Sequence, residues 1–241
     1  MNYNRHSPSA LNLFCAAPAM FVLEKILGHR QPVGSPAHRG TAVEDGVTHG
    51  LLYQDAPVQT CIDAALKKYD TISALSGDRR REDYRLTIPA MVTTALEELR
   101  PYGLPTRVQG FCEWRPDGLK YPVVGYFDYE WEHHGIIVDL KTTEKLPSSI
   151  KVPHARQVAL YCRTDNIDAR LTYCTPKKKA TYRLENIREH RNALHQIALR
   201  VERFLALSDD PEFFKSITAP DYESFYWGGP ARQIGFEHWK F

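Results

Sequence analysis

The chain lacks any apolar run approaching the ~18 residues needed to cross a bilayer. Its N-terminus also lacks a basic stretch followed by an apolar core and a cleavage site. Cysteine is sparse: Cys15, Cys61, Cys112, Cys162 and Cys174 include no Cys-x-x-Cys pair, which argues against the usual zinc and iron–sulfur spacings. Odd in number and widely scattered, they are expected to be reduced thiols of a cytosolic protein. Charge of one sign is missing too. Lys and Arg number 31 against 29 Asp and Glu, so there is no global signature of nucleic-acid binding and any basic surface must be local. Repeats and low-complexity tracts are absent, and the histidines have no spacing that converges on a zinc site. These absences predict a soluble intracellular protein without a membrane partner.

What is there begins with length. A chain of 241 residues, 43% hydrophobic, can bury a sizeable core and suits one elaborated domain: a helical part over about 1–100, a sheet core over about 104–185, and a C-terminal helix and tail over 186–241. Ser9 is placed to cap a helix beginning at Ala10 and running through Leu11, Phe14, Met20 and Leu23, bent near Pro18. After a Gly/Pro-rich connection, Gly28 to Pro36, helices are expected from Gly40 to Leu52, from Val58 to Tyr69, and from Pro89 to Arg100 with the proline at its start.

From Val108 to Trp114 the period falls to two, the mark of a strand. Turns at Pro116-Asp117-Gly118 and His133-His134-Gly135 then separate strands Val123 to Trp131 and Ile136 to Lys141, a three-stranded meander. A helix from His154 to Arg163 precedes strands Ala169 to Cys174 and Thr181 to Leu184. A strand, a crossing helix and another strand imply a mixed sheet. Glu185 to Leu207 reads as one amphipathic helix, and the aromatic tail beyond Pro211 should pack back on the domain. The fold class is α/β (α+β), a mixed central sheet flanked by helices.

Chemistry concentrates at Asp139-Leu140-Lys141, which ends the apolar run Gly135-Ile136-Ile137-Val138. Residues two apart in a strand share a face, roughly 6 to 7 Å from each other, so the Asp139 carboxylate and the Lys141 ammonium should project into one cleft. Two charges at the end of a buried strand are costly unless paired, solvated or bound to a metal. Alone, such a tripeptide also fits an exposed salt bridge.

Company makes it specific. Gly125-Tyr126-Phe127-Asp128, then Asp139-Leu140-Lys141-Thr142-Thr143, then Gln157-Val158-Ala159-Leu160-Tyr161 resemble, in that order, the Gly-x-x-Asp, Asp-x-Lys-Thr and Gln-x-x-x-Tyr elements of the PD-(D/E)XK nuclease superfamily, in its RecB-like and phage-exonuclease branch. Gly40-Thr41-Ala42-Val43-Glu44 resembles the family's helix that presents an acidic residue or a histidine to the metal, and Ser9-x-Leu11 to Phe21 its N-terminal helix. Iron–sulfur members carry Cys-Pro where this chain has Ala17-Pro18, so no cluster is expected. The match runs over residues 7 to 185, with a weaker one at Trp227 and Trp239.

The resemblance implies a restriction-endonuclease-like core and a Mg²⁺- or Mn²⁺-dependent DNA exonuclease. It would act on duplex ends in phage or mobile-element recombination or repair, in the cytoplasm of a bacterium or phage-infected host. A single-strand annealing protein as partner, and a homo-oligomer, are implied in the same way. Glu44, Asp128, Asp139 and the Leu140 carbonyl are the implied metal ligands, since hard cations prefer oxygen. Lys141 would stabilise charge developing in the transition state. Gln157 and Tyr161, four apart on one helix face, would orient Lys141, the ligands or the DNA backbone.

Arg39, His154 and Glu113 are further candidates for substrate binding. Plainer readings stand beside them: a surface salt bridge for Arg39, an ordinary strand carboxylate for Glu113, a solvated helix carboxylate for Glu44. The runs Arg79-Arg80-Arg81 and Lys177-Lys178-Lys179 are solvated turns unless they contact DNA. Tyr222, Phe225, Tyr226 and Trp227 read as core in preference to base-stacking surface. For the whole chain the alternatives are a catalytically silent DNA-binding module with a nuclease fold and a restriction-type endonuclease.

Overall fold

The computed structural model describes residues 3–162, 164 and 167–240. The elements follow in the order α1 (Pro8–Ala16), α2 (Pro18–Phe21) running into a π turn (Val22–Ile26), α3 (Ser35–Leu52), α4 (Val58–Ile72), α5 (Arg81–Leu99), β1 (Arg107–Trp114), β2 (Val123–Trp131), β3 (Ile136–Thr142), α6 (Val152–Tyr161), β4 (Asp168–Cys174), β5 (Lys179–Arg183), α7 (Ile187–Leu205), α8 (Pro211–Ser216) and α9 (Pro230–Trp239). The five strands form one sheet in sequence order. β2 and β3 are antiparallel, β3 and β4 parallel, and β4 and β5 antiparallel. The sheet is therefore mixed, with β3 at its centre.

By backbone contacts the chain divides into two compact units: residues 33–111 with 126–187, and residues 1–32 with 112–125 and 188–241. In the first, α3, α4 and α5 pack together and bury Val43, Val47, Leu51, Ala65, Tyr69, Met91, Val92 and Leu96 with Tyr129 and Trp131 of β2 and Val138 and Leu140 of β3. Strand alternation dictates the consequence. With Val138 and Leu140 turned to the helical core, Asp139 and Lys141 occupy the other face of β3.

In the second unit, Trp227 packs with Ala19, Met20, Leu23 and Ala231, while Phe225 stays 83% exposed. The tail thus contributes core through Trp227 and not through Phe225. His6 Nε2 and the backbone N–H groups of Lys120 and Tyr121 all donate to or contact the Glu202 carboxylate, at 3.0, 2.9 and 2.8 Å.

Several boundaries differ from expectation. Ser7, not Ser9, caps α1, its Oγ accepting from the Ala10 N–H at 3.2 Å, because Pro8 sits in the first turn, where its missing N–H costs nothing. The same reasoning starts α3 at Ser35, ahead of Pro36, five residues before Gly40. Pro89 does not begin a helix. It lies inside α5, and burial of Tyr84, Ile88, Met91, Val92, Ala95, Leu96 and Leu99 along one stripe outweighs the ~3 kcal/mol that an interior proline costs. The helix expected to reach Arg163 is described through Tyr161, and Arg163 lies outside the described residues. Among the described residues no disulfide is formed.

Candidate active site

The far face of β3 carries the two charges at issue, and Asp139 is completely buried. Lys141 Nζ stands 2.5 Å from Asp139 Oδ2, a close ion pair. The other oxygen, Oδ1, is approached at 3.3 Å by Nε2 of Gln157, which also donates to the Tyr161 hydroxyl at 2.8 Å. One turn of α6 thus presents Gln157 and Tyr161 as a connected pair, as i, i+4 spacing requires. Tyr161 is itself buried against Phe127.

Asp128 enters from the adjacent strand. Its Oδ2 accepts the Leu140 N–H at 2.7 Å, so the backbone of the Asp139-Leu140-Lys141 tripeptide fixes the neighbouring carboxylate. Glu44 arrives from α3, and Tyr129 of β2 pins that turn of the helix: its hydroxyl donates to the Glu44 carbonyl at 3.2 Å and meets Thr48 Oγ1 at 3.1 Å. The side chain of Gln109, on β1, closes the group. Its Nε2 hydrogen-bonds Glu44 Oε1 and lies 3.4 Å from Asp128 Oδ1.

Three carboxylates therefore share one ammonium. Burial pushes Glu44 up to about 7, helped by Asp139 and opposed by Lys141. Asp128 is raised well above the usual carboxylate range, by burial first and then by Asp139 and Glu44. For Lys141 burial would lower the pKa, but the charges of Asp139 and Asp128 overcome it and raise it. Such shifts are the cost of crowding like charges out of water, and they mark functional sites more often than structural ones.

An oxygen-only donor set with surplus negative charge fits a hard divalent cation. Among the described residues, no three His, Cys, Asp or Glu side chains form a ready-made cage. Hydrogen bonds to Gln109, Gln157 and the Leu140 N–H, with the Lys141 ion pair, occupy the carboxylates instead.

The remaining candidates separate. His154 sits beside this group: its Nδ1 meets the Tyr173 hydroxyl at 2.8 Å, and its pKa is lowered by burial and by Lys141. Arg39 is not the exposed salt bridge that is the commoner role of an arginine. It is only 4% exposed, forms no ion pair with a described residue, and keeps Nε buried without a hydrogen-bond partner. Its guanidinium lies 5.0 Å from the Tyr84 ring, which Arg80 also approaches, at 4.7 Å. Glu113 falls in the other unit, paired with Arg115 at 2.6 Å. In the Arg79-Arg80-Arg81 run, Arg80 pairs with Glu144 and Arg81 with Asp70, each at 3.2 Å, so both have protein partners.

The residue that sequence reasoning passed over is Gln109. It sits in a strand at φ +51°, a left-handed conformation uncommon outside glycine. The one hint is Gly110, where an added Cβ would lie 2.0 Å from the Phe127 ring, so the chain is forced into close approach there.

Comparison with known proteins decides the family. A model of the PD-(D/E)XK nuclease superfamily matches residues 5–219. The chain belongs to that superfamily. Its mixed five-stranded sheet with flanking helices is the restriction-endonuclease-like fold the superfamily shares, and its members usually depend on divalent metal ions. No curated protein matches the chain. Ten chains of known structure do. One, titled "Crystal structure of SSO0001", is 18% identical over 88% of this chain and 93% of its own, with a TM-score of 0.37. Among the described residues, no helix of this superfamily member is long and apolar enough to cross a membrane.

Proposed function

We propose that this chain is a divalent-metal-dependent deoxyribonuclease of the RecB-like and phage-exonuclease branch, degrading linear duplex DNA from its ends. The observation that carries the reading is the packing of Glu44, Asp128 and Asp139 around a single Lys141 ammonium, charge that an oxygen-seeking cation would complete. Glu44, Asp128, Asp139 and the Leu140 carbonyl would hold Mg²⁺ or Mn²⁺. The ion would polarise the scissile phosphate and lower the pKa of a water molecule.

The protein's own groups do the rest. Lys141, held beside Asp139, supplies positive charge where negative charge develops on the phosphate. Gln157, braced by the Tyr161 hydroxyl, fixes the orientation of Asp139. Arg39, buried with an unsatisfied Nε, is assigned to a substrate phosphate, which its planar fork suits. His154, beside this group, is assigned a contact with the DNA backbone. A recombination setting with a single-strand annealing partner follows from the branch resemblance.

Topology of the substrate tests the end-dependence. Linear, nicked and covalently closed duplex DNA of one sequence are each incubated with the protein and Mg²⁺. Loss of the linear form with closed circles intact supports the proposal. Cutting of closed circles at a defined site would replace it with the endonuclease reading, and DNA binding without hydrolysis with that of a silent module.

A further inference from the structure

Gln109 is the only described side chain that reaches two of the three carboxylates by hydrogen bond, donating to Glu44 and approaching Asp128 Oδ1 at 3.4 Å. It is carried there by a backbone turned to φ +51° within β1. Non-glycine residues persist in that region only when their surroundings hold them, and such positions cluster at functional sites. The space is enforced from the far side as well, because Gly110 leaves room for the Phe127 ring that no larger residue would.

The amide end of Gln109 therefore sits between Glu44 and Asp128, within reach of a cation that these two carboxylates would hold. An N–H group cannot face a cation. A carboxamide, however, exchanges its nitrogen and oxygen by a half-turn about its last side-chain bond, with almost no change in shape. We propose that Gln109 is a metal donor: in the metal-free protein its N–H group bridges Glu44 and Asp128, and on metal binding the amide reverses and presents Oε1 to the ion. A neutral oxygen adds coordination without adding to the surplus of negative charge, which suits a hard cation with several oxygen ligands. This inference rests on the reading of Glu44 and Asp128 as metal ligands.

Calorimetric titration of the full chain with Mn²⁺, without DNA, tests it. The set is wild type, Gln109→Asn, Gln109→Leu, Gln109→Glu and Asp128→Asn. Asparagine tolerates the left-handed backbone and keeps the amide but is one carbon too short, so it should fold normally and bind Mn²⁺ about tenfold more weakly, near 1.4 kcal/mol. Gln109→Leu should show the same loss, whereas Gln109→Glu, which restores an oxygen at full reach, should bind at least as tightly as wild type.

If both Gln109→Asn and Gln109→Leu bind Mn²⁺ as tightly as wild type or more tightly, while Asp128→Asn weakens binding, Gln109 is only a bridge that the metal displaces, and the proposal fails on its own. If Asp128→Asn also leaves binding unchanged, the metal assignment underneath it fails, and the donor role of Gln109 with it.

Discussion

Replacing Gly46 by alanine should loosen the helical layer that presents Glu44. Gly46 lies on α3 where α4 crosses it, and an added Cβ would stand 2.5 Å from the Cys61 carbonyl oxygen and 2.8 Å from the Ala65 Cβ. Carbon atoms in contact prefer about 3.5–4.0 Å, so α4 must retreat by roughly 1 Å. The obstructing atoms are backbone and a Cβ, which cannot swing aside as a side-chain tip would. Overpacking of this kind costs about 1–3 kcal/mol, here near the upper end. Alanine returns about 1 kcal/mol through its better helix propensity.

The net loss is then about 2 kcal/mol, which for a chain of this size corresponds to about 4–8 °C in Tm. Thermal unfolding followed by circular dichroism measures it. Gly40→Ala is the internal control, since its Cβ would meet only Thr142 Oγ1, at 3.4 Å, and it should leave Tm unchanged or raise it. A Gly46→Ala protein that melts at or above the wild-type temperature would refute the steric argument. It would show that α3 and α4 can slide apart freely.

Two further outcomes follow from buried polar groups. Tyr129→Phe removes the hydroxyl that ties β2 to the Glu44 turn and to Thr48, so stability should fall by about 1 kcal/mol, read as a lower urea midpoint at unchanged slope. Around Glu202, acid should destabilise. Burial would raise the Glu202 pKa, but the N–H groups of Lys120 and Tyr121 and the His6 ring overcome it and hold it below the usual value, while burial, opposed by Glu202, lowers that of His6. The folded state thus prefers ionised Glu202 and neutral His6. The His6 contribution is complete above the ordinary histidine pKa of about 6.5 and fades below it, and the Glu202 contribution is lost as pH falls through its lowered value. Denaturant melts between pH 7 and 3 should show this decline, and Glu202→Gln should flatten its acidic part.

The sheet was legible because its signals are local. Two-residue alternation and the turn residues at 116–118 and 133–135 place β2 at Val123–Trp131 and β3 from Ile136, and the apolar run before Asp139 marks β3 as a central strand. The helix starts were less so. Pro8, Pro36 and Pro89 follow three different rules, and only tertiary burial along α5 decides that the last sits inside a helix. At the candidate site, the strand period put Asp139 and Lys141 on one face and the helix period put Gln157 and Tyr161 on another, whereas the meeting of the two pairs with Asp128 was implied by the family resemblance and not by spacing. Two features were beyond it. The burial of Arg39 arises from long-range packing against Tyr84, and the position of Gln109 depends on a backbone angle that its side chain gives no reason to expect.

The account stands or falls on hydrolysis. Release of acid-soluble nucleotides from linear duplex DNA is measured with Mg²⁺, with EDTA, and with the Asp139→Asn and Lys141→Ala proteins, DNA binding being followed in parallel. The account predicts metal-dependent release that falls by at least ~10²-fold in each variant, the scale set by loss of one group that stabilises transition-state charge, with binding retained. Wild-type protein that binds DNA yet releases nothing with Mg²⁺ or Mn²⁺, or variants that match its rate, would contradict it.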